Sequence, residues 1–121
     1  MRELKQIMIM EDVCQYIGVR LEEISCYLSE KNQLLIRGSI NAQSGYSSKG
    51  DLRIRADVLN EDGKVIYNME DYQRRDIAFL HDSFEISSFD TFDILKQFDL
   101  DKCMIRVYPV IRTSNRRGLD E

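Results

Sequence analysis

Tryptophan is absent from this 121-residue chain, and proline and histidine occur once each, as Pro109 and His81. With one histidine, base-assisted catalysis has one obvious candidate base, since nucleophilic chemistry needs a nucleophile, a base and an orienting group. Three cysteines, Cys14, Cys26 and Cys103, are odd in number and widely spaced. That is no disulfide framework, and it fits small buried thiols in a reducing compartment. No stretch approaches the ~20 apolar residues of a membrane span. The apolar run Ile7–Met10 is closed by Glu11 and Asp12, too short for the roughly 7–15-residue core of a secretory signal. The expected compartment is therefore cytoplasmic, or extracellular or membrane-anchored if a targeting segment has been removed ahead of Met1.

Positive charge is also scarce. Seventeen basic residues against 21 acidic ones give a formal charge of −4, so any phosphate binding would rest on a local basic surface. What the chain does contain is apolar residues, at 43%, with 31% charged. That balance favours a folded globule over disorder, and the length suits one domain with its own core. The expected domain spans residues 1–111, followed by a polar tail, 112–121, that frays.

The dominant pattern has period two. Leu52, Ile54, Ala56 and Val58 alternate with Asp51, Arg53, Arg55 and Asp57, a half-buried strand with one wet face. Ile24, Cys26 and Leu28 begin a hairpin that turns at Glu30-Lys31-Asn32 and returns through Leu34, Ile36, Gly38, Ile40 and Ala42. Gly38 within that strand indicates a bulge or a close packing contact. Asp62-Gly63 marks a second hairpin turn into Lys64–Met69. Further strands are expected at Ile7–Met10, at Ser83–Ser87 with Phe84 and Ile86 inward, and at Cys103–Ile111. Pro109 predicts an edge or a bulge in the last strand. The run from Asp12 to Val19 is ambiguous in its pattern. Asp90 as N-cap and the spacing of Phe92, Leu95 and Phe98 predict one short helical turn. Gln43–Gly50 and Glu70–Asp76 read as loops. The fold class is all-β, a sandwich of about seven strands.

Four segments taken together carry a resemblance: Leu34-Leu-Ile-Arg-Gly-Ser-Ile-Asn41, Leu52–Val58, Asp62-Gly63-Lys64-Val65-Ile66 and Asp82-Ser-Phe84-Glu-Ile86. Over roughly residues 21–111 the chain resembles the small bacterial immunoglobulin-like modules called FxLYD-type domains. The resemblance implies an immunoglobulin-like β-sandwich that acts as an interaction module, with no catalytic residues. Such modules usually occur in exported or membrane-anchored proteins, and this sequence shows no export signal.

Catalytic, metal and cofactor residues are expected to be none. Cys26 and Cys103 both fall on inward faces, but a zinc site wants closely spaced ligand pairs. Asp90, Asp93, Asp99 and Asp101 gather near the helical turn, where helix capping by Asp90 and Asp93 and solvation of Asp99 and Asp101 account for them in preference to calcium. His81, Asp82 and Ser83 are adjacent in a strand, so their side chains alternate between faces. Six tyrosines without a tryptophan make a weak carbohydrate surface.

The residues that remain are surface ones. Arg37, Arg53, Arg55 and Arg106 fall on outward faces, with Arg74, Arg75, Arg112, Arg116 and Arg117 adding local charge and Tyr27 and Tyr108 available to stack. Tyr27 and Leu35 are cross-strand neighbours, expected either to self-associate or to be covered by Ile7–Met10, with covering preferred. The candidate interaction surface is Tyr27, Leu35, Arg37, Arg53, Arg55, Arg106 and Tyr108. The expected function is a non-enzymatic protein-interaction or assembly module, with an unknown protein or a second copy as partner. A small nucleic-acid-binding β domain is the alternative, and an enzyme comes third.

Overall fold

The computed structural model describes residues 2–30, 33–42, 51–71, 81–88 and 97–112. In chain order the elements are β1 (Arg2–Leu4), β2 (Ile7–Ile9), α1 (Glu11–Ile17), β3 (Val19–Leu28), β4 (Leu34–Ala42), β5 (Asp51–Leu59), β6 (Val65–Glu70), β7 (His81–Ser87), a 3₁₀ turn (Leu100–Lys102) and β8 (Met104–Arg112). They form two four-stranded sheets, ordered β1-β3-β4-β7 and β2-β8-β5-β6. Buried side chains from both sheets make one core, so the fold is an all-β sandwich. The predicted helical turn at 90–98 falls largely on 90–96, outside the described residues; the described α-helix is α1, mostly in the stretch 12–19 that was ambiguous in sequence.

Alternation becomes burial most clearly in β5, where Leu52, Ile54, Ala56 and Val58 are each 0% exposed. β3 is less regular. Val19 and Leu21 point inward, and so do Cys26 and Leu28, which requires one parity change between them. A register shift between Glu22 and Ser25 supplies it, with Glu23 at φ 56°. A bulge of this kind inserts one unpaired residue and re-aims the strand. It also leaves Ile24, expected inward, only half-buried.

Gly38 marks a packing contact. It lies opposite Phe84 on β7, and a Cβ there would stand 2.4 Å from Ile24 Cδ1 and 2.8 Å from Phe84 Cζ. The Phe84 ring thus occupies the space a side chain at 38 would fill. At the second hairpin, Gly63 takes φ 80°. Asn60 Oδ1 accepts from the N–H groups of Asp62 (3.0 Å) and Lys64 (2.9 Å), which ties the loop to the strand end.

Two strands leave their sheets by the same device. Ser88 N–H donates to the Leu34 carbonyl (3.1 Å), while Leu34 N–H donates to the Ser88 hydroxyl oxygen (2.7 Å). Asp71 N–H donates to the Ile54 carbonyl (3.0 Å), while Ile54 N–H donates to Asp71 Oδ1 (2.7 Å). In both places a side-chain oxygen takes the role of the backbone carbonyl, so the chain can turn away without orphaning a buried donor.

The N-terminal segment is shared between the sheets. β1 pairs antiparallel with β3, and β2 pairs parallel with β8. This corrects the expected position of Ile7–Met10: it edges the second sheet instead of covering Tyr27 and Leu35. Its apolar residues Ile7 and Ile9 line up with Ile105 and Val107, and both pack against the core.

The expectation for Pro109 is also corrected. β8 lies inside its sheet, between β2 and β5, and its register with β5 runs unbroken from Met104 to Arg112. Ile105 N–H donates to the Gln6 carbonyl (2.8 Å) and Met10 N–H to the Val107 carbonyl (3.1 Å). Residues 105, 107 and 109 therefore turn their backbone groups toward β2, away from β5. β2 ends at Ile9, so Pro109 places its missing N–H where the ladder has stopped.

At that point the chain becomes α1. Met10 occupies the N-cap without a side-chain cap, its carbonyl accepts from Cys14 N–H (3.1 Å), and Gly18 closes the helix in the left-handed region at φ 94°. Cys14 and Ile17 are buried, and Val13 packs partly against the core. Among the described residues no helix is long and apolar enough to cross a membrane.

Candidate functional site

The seven candidate surface residues divide between the two outer faces. Tyr27, Leu35 and Arg37 lie on the first sheet; Arg53, Arg55, Arg106 and Tyr108 lie on the second. Tyr27 sits opposite Leu35, with Glu3 and Ser87 at the ends of that row. Both side chains are half-buried. Arg37 Nε donates to Glu85 Oε2 at 3.0 Å. With both side chains more than half exposed, such a pair adds about 0–1 kcal/mol. Tyr27 and Tyr108 are on opposite sides of the sandwich and do not form one stacking platform.

The second sheet carries an ion-pair network around Asp57. Its period places Asp57 outward with Arg53 and Arg55, yet its side chain is only 4% exposed. The cover comes from β8. Arg106 Nη2 and Nε donate to Asp57 Oδ2 at 2.7 and 3.2 Å, and the Tyr108 hydroxyl donates to the same oxygen at 3.0 Å. Among the described residues Asp57 Oδ1 accepts no hydrogen bond; Arg55 Nε lies 3.5 Å from it. Arg55 Nη1 stands 3.5 Å from Glu70 Oε1, and Arg53 Nη1 donates to Glu70 Oε2 at 3.2 Å. The Arg106 guanidinium lies 5.9 Å from the centre of the Tyr108 ring, within cation–π range. Burial, then the hydrogen bond to the Asp57 carboxylate, raise the Tyr108 phenol above its usual value; only the protonated phenol can donate there. Three arginines thus face two carboxylates, and the face is a mixed-charge network.

Beside this network lies an apolar hollow of about 500 Å³. It runs between α1 and β8. Met10, Val13, Tyr16 and Ile17 form one wall, and Tyr108, Pro109, Val110 and Ile111 lie across from them. Tyr16, in the last turn of α1, is 92% exposed. Of these the sequence singled out Tyr108 as a surface candidate; the helix wall, Met10, Val13, Tyr16 and Ile17, was missed. Val13 and Ile17 at helical spacing, followed by Gly18 as a stop, were the signals available.

The other candidates resolve into structural roles. Asp99 caps the 3₁₀ turn by accepting from Asp101 N–H at 3.1 Å, and Asp101 pairs with Arg2. Asp90 and Asp93 lie outside the described residues, as do Arg74, Arg75, Arg116 and Arg117. His81 bonds Asn41 across the strands, and Asn41 in turn donates to Glu22. Among the described residues no three His, Cys, Asp or Glu side chains gather as metal ligands. Cys14, Cys26 and Cys103 are buried free thiols. Burial pushes Cys14 up to about 11 and Cys26 up to about 12, and raises Cys103, which disfavours the reactive thiolate. No protein-family model, curated protein or solved structure matches this chain.

Proposed function

We propose that this chain is a non-enzymatic protein-interaction or assembly module on an immunoglobulin-like sandwich. The observation that carries the reading is the α1–β8 groove, an apolar hollow with a tyrosine at its rim that is 92% exposed. A tyrosine brings a large apolar surface and a polar tip, and contributes strongly at interfaces. The alternative, a small nucleic-acid-binding domain, has less support. Arg37, Arg53, Arg55 and Arg106 each stand against a carboxylate, so a phosphate would have to displace an existing partner.

Replacing Tyr16 with a photo-crosslinking phenylalanine analogue tests the reading in cells that make the protein. The expected result is one discrete adduct, lost when Val13→Asp is added. An equal adduct from a crosslinker at the exposed Glu61, or none from position 16, overturns it.

A further inference from the structure

We infer that the α1–β8 groove takes an extended apolar peptide, which adds as a strand to the open backbone edge of β8 at Pro109–Ile111. The inference rests on the proposed interaction role and specifies its partner. An apolar hollow alone would not choose between a helix, a loop and a second copy of this chain. The choice comes from main-chain groups. Ile105 and Val107 spend theirs on β2. Pro109 and Ile111 share their parity, so the Pro109 carbonyl and both backbone groups of Ile111 face the same side, beyond the end of β2.

They are not committed to β5. Ile54 turns its own N–H and carbonyl to Asp71, so its pair with Pro109, and that of Leu52 with Ile111, are of the non-hydrogen-bonded kind. No partner for Ile111 N–H occurs among the described residues. One donor and two acceptors thus line a groove whose walls are apolar apart from Arg106. An extended chain supplies the complementary donors and acceptors every second residue, with side chains left for the hollow. The site is also continuous with the β2–β8 ladder, which already accepts a strand along the same edge. β2 and the incoming peptide would lie end to end.

The probe is a phage-displayed library of random dodecapeptides selected against the whole chain, with the winning peptide resynthesised for titration. Binding is expected to fall at least tenfold in Tyr16→Ala, and to be at least tenfold weaker in Ile111→Pro than in Ile111→Ala, which loses the same groove-lining side chain and keeps the N–H. Because Ile111→Pro alters the fold's backbone, hydrogen exchange in the unsubstituted protein gives an independent reading: the Ile111 amide is expected to become protected when the peptide is added. Binding lost in Tyr16→Ala, with Ile111 unprotected and Ile111→Pro behaving as Ile111→Ala, overturns strand addition and leaves the interaction module standing. A peptide insensitive to Tyr16→Ala, or no selected peptide from a chain that is monomeric in solution, overturns both. A solution dimer dispersed by Tyr16→Ala, with no peptide selected, assigns the groove to a second copy and also overturns the inference.

Discussion

Pro109 stands where the parallel ladder between β2 and β8, whose last bond is Met10 N–H to the Val107 carbonyl, would next call on the Met10 carbonyl. That next bond needs an N–H at 109 donating to the Met10 carbonyl. Proline has none, and the Met10 carbonyl accepts from Cys14 N–H at 3.1 Å as the first bond of α1. Strand end and helix start are one event. Pro109→Ala restores a donor that the fold does not use and loosens the unfolded chain, so it is expected to destabilise by about 1 kcal/mol. Urea unfolding measures this, and a raised midpoint would contradict it.

Gly38→Ala is expected to cost about 1–3 kcal/mol, because its methyl meets Ile24 and Phe84 at less than contact distance. Shortening the neighbour should relieve it: the double variant Gly38→Ala with Phe84→Leu is expected to lose less than the two single losses added. Strictly additive unfolding energies would show that Phe84 does not hold the space.

Ser88→Ala removes the acceptor of Leu34 N–H, which is bonded at 2.7 Å in a buried setting. An unsatisfied buried donor costs about 1–3 kcal/mol. The local signature is sharper than the global one. Amide exchange at Leu34 should rise well above that of its strand neighbours, and unchanged exchange there refutes the role given to Ser88.

Asp57→Ala leaves Arg106 without its carboxylate and Arg55 with Glu70 alone. Both arginines retain some contact with water, at 28% and 27% side-chain exposure, so the loss should sit near the lower end of that for broken buried pairs, about 3 kcal/mol. Chemical denaturation of Asp57→Ala and Tyr108→Phe measures the two arms. A smaller loss in Tyr108→Phe is expected, since it removes one donor and keeps the ring.

Alkaline stability follows from the thiols. Folding raises Cys14 to about 11 and Cys26 to about 12 from an unfolded value of 9.0. Below pH 9 both states hold the proton and the contribution is whole. Above it the unfolded chain loses protons first, so stability falls as pH rises toward 11–12. Denaturation midpoints at pH 8 and pH 10.5 test this. Cys26→Ala should lessen the pH 8 to pH 10.5 drop, even though its stability at pH 8 is lower; an equal drop would sink the assignment.

Much of the sandwich was legible because burial follows parity. β5 was readable to its ends, and both hairpins announced their turns through Asn32 and Asp62-Gly63. Parity gives the face of a residue and not its depth, so Asp57 read as a wet charge although Arg106 and Tyr108, 49 and 51 residues away, fold over it. β1 is three residues long, too short to show a period. α1 begins without a side-chain cap, and its groove exists only because β2 stops beside β8. Pairings of that range are written in no single strand's pattern, which is why Ile7–Met10 was placed over Tyr27 and Leu35.

The parallel joining of β2 to β8 also has a mechanical meaning. Tension that reaches β2 from its N-terminal side and β8 from its C-terminal side pulls the two strands past each other. The rungs at Ile7, Met8 and Ile9 then bear load together in shear and cannot open one by one like a zipper. A segment only three residues long becomes the latch that a stretching force must break before the core is exposed.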